Sequence, residues 1–249
     1  MIGMLKELLC YLRYQLPRIF NRSELNKVGF VQLSQDKLRL NAKEIERIVK
    51  RMDSVSIDPA GVKVWSDELG ADRRIHGFEN LFPFSKNFLD NVVAIAEQHH
   101  TKPLSHYSVL AAKLTFREEN LGSGGGWHRD SAHRSQVKII VYLSDVDDHN
   151  GPFEYLPGTH WSWHKLKTDG FGSSKLRFTE KDVRGMDIQP ITLTGRAGSG
   201  LVVDTKGIHR GRPIASGNRY ALTFYFFDNG EISPNIFRLI NGSISSCRS

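Results

Sequence analysis

Hydrophobic positions near the start of the chain recur at the spacing of an amphipathic helix. The stripe consists of Ile2, Leu5, Leu8, Leu9, Leu12 and Leu16. Lys6, Glu7 and Arg13 interrupt it, so the segment is neither a membrane span nor an ordinary signal peptide. We expect a helix that docks on the protein through its apolar face, with weak contact to a membrane surface as the alternative.

Two more helices and a short strand are predicted before residue 100. Asn41 is a favourable N-cap residue, and Glu44 stands where a capping box has its acidic residue. The second helix begins near Ser85 and turns Phe88 inward. Residues 61–65 are typical of a short strand. The first hundred residues are therefore expected to be rich in helix.

The pattern changes after residue 104 to short runs of β-branched and aromatic residues separated by turn residues. The runs are HYSVLAAKLTF, VKIIVYL, PFEYLPG, MDIQPITLT, SGLVVDT and NRYALTFYFFD. Helical patterns do not alternate with them, so the pattern favours an antiparallel barrel, sandwich or jelly roll over a parallel sheet. We expect one domain over residues 1–249, helix-rich over 1–100 and with its β core over 101–230.

Composition is that of an ordinary globular protein with an excess of positive charge. The chain has 249 residues, 39% of them hydrophobic, and a formal net charge of +7. Such a charge favours an anionic partner, which is a nucleic acid, a membrane surface or an acidic small molecule. Lysines and arginines are scattered along the chain and not interleaved with aromatic residues, so we expect no nucleic acid.

The cysteine content limits the covalent and metal chemistry of the chain. Cys10 and Cys247 are the only cysteines. Two cysteines cannot build a disulfide framework or a cysteine-based zinc site. We therefore expect a reducing, cytoplasmic location.

The segment GGGWHRDSAHRS, residues 124–135, carries the candidate chemistry. It contains the HRD letters of protein kinases, but Ser135 stands where their catalytic loop has a metal-binding asparagine. Its glycine run also lacks the spacing of a phosphate-binding loop. On an extended strand, His128 and Asp130 point to the same face and can present an imidazole and a carboxylate to one ion.

His209 is the best candidate for a third metal ligand. It follows the run GLVVDT and precedes the last long β run of the core. Two histidines and one carboxylate that leave coordination positions open are diagnostic of non-haem Fe(II) oxygenases.

Arg219 follows ten residues after His209 and supports the same chemistry. The alternation in NRYALTFYF places Arg219 on one face with Ala221, Thr223 and Tyr225. An arginine among small and polar neighbours inside a barrel requires an anion, because an unpaired buried charge is costly. A carboxylate is the natural partner of a guanidinium group.

The ordered set of an HxD pair, a distant histidine and a later arginine resembles the Fe(II)/2-oxoglutarate-dependent oxygenases. WHRDS followed by VKIIVYLSDVDDHNGPFEYLPGTH resembles in particular the phytanoyl-CoA dioxygenase family, over residues 105–228. The resemblance implies a mainly β, double-stranded β-helix core of the jelly-roll, cupin-like type, with the helical N-terminal part packed on it. It also implies Fe(II), 2-oxoglutarate as co-substrate, and O2.

Carried over position by position, the resemblance assigns three iron ligands and four contacts to 2-oxoglutarate. The ligands are His128, Asp130 and His209. The contacts are Arg219, which meets the distal carboxylate, and Lys113, Tyr142 and Thr223. Related halogenases have a small residue in place of the aspartate, so the presence of Asp130 favours hydroxylation.

The implied activity is hydroxylation of a C–H bond in a small substrate, with release of succinate and CO2. The positive charge favours an anionic substrate, such as a carboxylate, a phosphorylated compound or a thioester. Residues 165–185 form a polar insertion that we expect to help select the substrate. Two alternatives remain open, a non-catalytic jelly-roll binding module and a cupin-type metalloenzyme that does not use 2-oxoglutarate.

Overall fold

The computed structural model describes residues 1–19, 23–56, 59–100, 103–228 and 245–247. The α-helices in these ranges are α1 (Ile2–Cys10), α2 (Glu24–Val28), α3 (Gln35–Leu38), α4 (Ala42–Ser54), α5 (Lys86–His99) and α6 (Glu180–Arg184). The first strands are β1 (Phe30–Leu33), β2 (Lys63–Ser66), β3 (Asp72–His76), β4 (Leu104–Thr115) and β5 (Val137–Tyr142). They are followed by β6 (Phe153–Tyr155), β7 (Ile191–Leu193), β8 (Gly200–Asp204), β9 (His209–Gly211), β10 (Asn218–Asp228) and β11 (Ser245–Ser246).

Two antiparallel sheets form a jelly roll, as expected from the sequence. The larger has the strand order β1-β8-β5-β10-β4-β3-β2, with β11 beside β4, and the smaller has the order β7-β6-β9. Phe153 and Tyr155 of the small sheet pack against Leu201 and Val203 of the large one. Three strands of the large sheet come from the first hundred residues, where the sequence pattern predicted only one.

Helices α4 and α5 cover the outer face of the large sheet. The Asn41 side chain caps α4 as predicted, because its Oδ1 accepts a hydrogen bond from the Glu44 amide at 2.9 Å. The Glu44 carboxylate accepts hydrogen bonds from the Ser85 amide and hydroxyl, both at 2.8 Å, and so joins the start of α4 to the start of α5. Phe88 on α5 is fully buried with its ring 5.8 Å from that of Phe224 on β10.

Strand β10 alternates between the two faces as predicted. Leu222, Phe224 and Phe226 belong to the core beneath the helices. Arg219, Ala221, Thr223 and Tyr225 line a cavity on the inner face. The period of two along a strand thus separates the packing side chains from those available for chemistry.

The prediction that α1 docks on the protein through its apolar stripe is wrong. Leu5 and Leu9 are 58% and 55% exposed, whereas Glu7 and Cys10 on the opposite side are buried. The stripe therefore faces outward, because polar contacts of Glu7 hold the other side against the protein. Within the described residues, no helix is long and apolar enough to cross a membrane.

We expect the stability of the fold to fall as the pH rises towards neutrality because of Glu79. Its Oε2 accepts a hydrogen bond from the Val109 amide at 2.8 Å, but burial outweighs this contact and raises the pKa of Glu79 from 4.5 to about 7. The carboxyl of the unfolded chain ionises near pH 4.5, whereas the folded protein keeps the proton up to about pH 7. The free energy of unfolding therefore decreases across this window, by at most ~1.4 kcal/mol per pH unit.

Urea unfolding at several pH values in this window measures the effect. Glu79→Gln keeps the shape of the side chain without a titrating group, so it should remove this part of the pH dependence. Glu68→Gln changes an exposed carboxylate and serves as the control. Identical pH profiles for Glu79→Gln and the unaltered protein would contradict the prediction.

Candidate metal centre

The structure brings His128, Asp130 and His209 together at the mouth of the jelly roll. One ligand atom from each lies within 4.8 Å of the others. The His128 and His209 backbones form a two-way bridge, with each amide donating to the other's carbonyl at 2.9 Å. Nε2 of His128 and Nε2 of His209 each lie 3.7 Å from an oxygen of Asp130. The two remote segments predicted to share a site are therefore direct neighbours.

Both imidazoles are held in the form that binds a metal. Nδ1 of His128 lies 2.8 Å from the Gly126 carbonyl oxygen, and Nδ1 of His209 lies 2.9 Å from that of Gly207. A carbonyl only accepts a hydrogen bond, so each Nδ1 carries the proton and each Nε2 presents its lone pair to the centre. Burial lowers the pKa of His128 to about 3 and also lowers that of His209, so both rings are neutral.

Asp130 is ionised and is supported by a residue that sequence analysis missed. Burial alone would raise the pKa of Asp130, but the ammonium group of Lys138 holds it well below the usual range. Nζ of Lys138 donates to Oδ2 of Asp130 at 2.6 Å and lies 4.2 Å from the centroid of the Tyr225 ring. Lys138 is two residues from Ile140, so both side chains lie on the face of β5 that lines the cavity. This spacing in the sequence could have identified Lys138 as a residue of the site.

The cavity beside these ligands extends between the two sheets to Arg219. This guanidinium is buried, and Nη1 donates to the Gly151 carbonyl oxygen. Its Nε has no hydrogen-bond partner among the described residues. Burial lowers the pKa of Arg219, while Tyr142 and Asp72 oppose the shift. A buried donor without a partner, aimed into a cavity, fits an anionic ligand there.

The two other predicted co-substrate residues on β5 and β10 also line this cavity. The Tyr142 hydroxyl donates to the Leu193 carbonyl at 2.7 Å and accepts from the Phe153 amide at 3.2 Å, so the ring is fixed in place. Thr223 lies on the same inner face as Arg219. Their contact with a co-substrate stays a prediction.

The prediction for Lys113 is wrong in its placement. Ala112 lines the cavity, so its neighbour Lys113 points to the opposite face of β4. There Nζ of Lys113 bonds Asp53 at 2.8 Å and lies over the Tyr220 ring. A register shift of one residue reverses the face of every side chain on a strand, and the sequence alone left that register open.

The glycine run permits a close approach of the backbone to His128. Gly124 has a φ of +87°, and a Cβ atom added there would lie 2.2 Å from Cε1 of His128. Arg177 closes this turn by donating to the carbonyls of Gly124 and Gly125. A side chain at position 124 would therefore displace the imidazole ring of His128.

Side chains of the insertion 165–185 contact the segment that carries the HxD pair. Arg129, between the two ligands, is buried and pairs with Asp169 at 3.2 Å. Its guanidinium carbon also lies 5.2 Å from the centroid of the Phe178 ring. The insertion thus supports the metal segment, and its role in selecting the substrate stays a prediction.

The donor set fits ferrous iron. Two neutral imidazoles and one carboxylate can occupy one side of an ion and leave the other positions for a co-substrate and O2. The unpaired Nε of Arg219 in the same cavity fits an anionic ligand such as a carboxylate. A jelly roll with this arrangement belongs to the class of Fe(II)/2-oxoglutarate-dependent oxygenases.

Comparison with known families identifies the group within that class. Residues 25–221 match the phytanoyl-CoA dioxygenase (PhyH) family. This match covers most of the chain, so the chain belongs to that family of dioxygenases, whose members use Fe(II), 2-oxoglutarate and O2. The match begins at residue 25, whereas the resemblance seen in the sequence began at residue 105.

Individual relatives are more distant. L-proline trans-4-hydroxylase from Streptomyces griseoviridis is 26% identical over 131 residues, which is 48% of this chain and 48% of that enzyme. The chain therefore aligns with about half the length of this curated relative.

Two solved structures share the fold. The carbocyclase SnoK from nogalamycin biosynthesis superposes with a TM-score of 0.61 at 15% identity, covering 88% of this chain and 92% of SnoK. HygX from Streptomyces hygroscopicus, with nickel, 2-oxoglutarate and hygromycin B bound, gives a TM-score of 0.58 at 15% identity and 88% coverage of both chains.

Proposed function

We propose that the protein hydroxylates a C–H bond of a small anionic substrate and converts 2-oxoglutarate to succinate and CO2. One observation carries the proposal. The two neutral imidazoles, the carboxylate of Asp130 and the buried guanidinium of Arg219 line one cavity. In this proposal His128, Asp130 and His209 are the iron ligands, and the iron with its co-substrate and O2 supplies the oxidation of the C–H bond.

Arg219 binds and orients the co-substrate. Its unpaired Nε and fixed position on β10 suit the distal carboxylate of 2-oxoglutarate, because a guanidinium presents donors in a rigid fork. Tyr142 and Thr223 border the space between Arg219 and the ligands. The cavity would therefore hold the distal carboxylate of the keto acid at the Arg219 end and its keto end beside the metal ligands.

Two further cations support an anionic substrate. Arg74 and Lys138 both line the cavity. Arg74 is held by Asp72, with its Nη2 at 2.6 Å from Oδ2, and Lys138 is held by Asp130. Both side chains are thus positioned before a ligand arrives, which lowers the entropic cost of binding it. The hydroxylase relative acts on L-proline by its name, so free amino acids and other small carboxylates are the first compounds to test, followed by their thioesters.

The location that we propose is the cytoplasm. The buried Cys10 lies on α1, and Cys247 is the second of the two cysteines. A chain with this content does not rely on disulfides for its stability, which suits a reducing compartment.

A two-stage assay tests the function. Without O2, the protein with Fe(II) and 2-oxoglutarate should develop the weak visible absorption band of the metal-bound keto acid. With isotopically labelled O2 and a panel of small carboxylates, the true substrate should stimulate succinate formation and gain one labelled oxygen atom. A product formed without gain of oxygen would contradict hydroxylation, and absence of the band would contradict the co-substrate site.

A further inference from the structure

The exposed face of α1 and of the helical turns that follow it is almost entirely apolar. The helical path continues from α1 through Tyr11–Gln15 and Leu16–Arg18. Its large apolar side chains are 41% to 72% exposed from Ile2 onward. They are Ile2, Met4, Leu5, Leu8, Leu9, Leu12, Leu16 and Ile19. Contiguous apolar surface of this kind marks an interaction site, whereas single exposed apolar residues are ordinary.

A buried ionic cluster fixes the helix in this orientation. Glu7 is fully buried and bonds Nζ of Lys165 at 2.8 Å, Nζ of Lys206 at 3.0 Å and Nδ1 of His133 at 2.8 Å. Gly3 on the same side packs against the backbone of Gly172, where a Cβ atom would lie 2.2 Å from the carbonyl oxygen. Rolling the helix to bury its leucines would leave two buried ammonium groups without their carboxylate, which is strongly destabilising. The outward direction of the apolar face is therefore built into the fold.

Cationic side chains border the apolar face. Lys6 and Arg13 are exposed on the helix, and Arg134 is exposed on the loop that follows the HxD pair. The three line one shallow groove together with Leu9 and Ser131. A helix with leucines on one face and Lys or Arg along its edge is the pattern of a segment that lies in a membrane interface.

We propose that α1 and its following turns bind the surface of a membrane that contains anionic lipids. The leucines would enter the headgroup and acyl boundary, and Lys6, Arg13 and Arg134 would meet the headgroup phosphates. A two-fold symmetric dimer through this face is disfavoured. Such an interface pairs the same surface of both chains, so it would bring these cations close to their copies, and each chain has a net charge of +7. Charge complementarity thus selects an anionic bilayer over a second copy.

The Glu7 cluster lies between α1 and the two segments that carry the candidate metal ligands. His133 lies three residues after the ligand Asp130, and Lys206 lies three residues before the ligand His209. Both contact Glu7 directly. The surface is separate from the cavity, so the membrane proposal and the proposed oxygenase activity stand or fall independently.

Vesicle co-sedimentation of the full chain tests the proposal. Vesicles of phosphatidylcholine alone are compared with vesicles that also contain phosphatidylglycerol, at low and high salt. The unaltered protein should bind the mixed vesicles, and salt should weaken the binding. Leu5→Asp with Leu9→Asp should reduce it at least about tenfold per site, since each change removes an exposed leucine that would be buried in the bilayer. Lys6→Gln with Arg13→Gln should reduce it roughly 25-fold on the anionic vesicles, about fivefold for each charge.

Leu69→Asp is the matched control, because Leu69 is 48% exposed in the turn between β2 and β3 and lies outside the apolar face. It should bind vesicles as the unaltered protein does. Circular dichroism and iron binding of each variant establish that the fold and the metal centre are intact. Equal binding to both kinds of vesicle, or full binding by the Leu5 and Leu9 variant, overturns the proposal. The proposal is also overturned if the unaltered protein binds no vesicles and instead forms a dimer in sedimentation velocity that the Leu5 and Leu9 variant does not form.

Discussion

Asp130→Ala should eliminate iron binding and turnover. Loss of a single hydrogen bond that supports a metal ligand costs about 10- to 100-fold in affinity or activity. Asp130 supplies the only carboxylate in the cluster with His128 and His209, so its removal should exceed that range. Iron retained after dialysis and succinate released from 2-oxoglutarate are the two measurements.

A second variant separates chemistry from folding in this experiment. Asp130→Ala leaves Lys138, 6% exposed, without its carboxylate, which costs up to about 3 kcal/mol of stability. Asp130→Ala combined with Lys138→Met should recover the stability and stay inactive. His149→Ala alters an exposed histidine and should change neither measurement. Iron binding that survives in the double variant would refute the assignment of Asp130 as a ligand.

Arg219→Met should raise the KM for 2-oxoglutarate at least about 30-fold, the equivalent of ~2 kcal/mol. The loss follows because the distal carboxylate would have no cationic partner at its end of the cavity. Without ligand, the same change should leave the melting temperature unchanged or raise it. Methionine fills similar space, and it replaces a buried charged group whose Nε has no hydrogen-bond partner among the described residues. Lower affinity together with unchanged or higher stability is the expected signature of a ligand-binding charge.

Arg196→Met is the control for this experiment. Arg196 is 80% exposed and pairs with Asp145 at the surface, so its loss should leave the KM for 2-oxoglutarate unchanged. The dependence of succinate formation on 2-oxoglutarate concentration and a thermal melt give both quantities. An Arg219→Met protein that binds 2-oxoglutarate normally would exclude this arginine as the anchor.

The sequence predicted the antiparallel core and the residues that meet at its mouth because these depend on short-range rules. Alternation along a strand placed His128 beside Asp130 and placed Arg219 on the face of Thr223. The order of the motifs then brought His209 to the same end. In the structure these residues share one cavity.

The sequence did not predict features that depend on register and on tertiary charge pairs. Lys113 was assigned to the wrong face, because nothing in its neighbourhood fixes the strand register to one residue. The leucine stripe of α1 indicated a docked apolar face, but burial of Glu7 with Lys165 and Lys206 reverses the helix. These partners are more than 150 residues away along the chain, beyond the reach of any local pattern.

The contacts of the insertion have a consequence for protein engineering. Arg177 holds the glycine turn beside His128, and Asp169 holds Arg129 between the two ligands. Exchanging residues 165–185 for the corresponding segment of a relative would also exchange side chains that support the proposed iron centre. Chimeras intended to transfer specificity must therefore retain these two anchors or graft the HxD segment along with the loop.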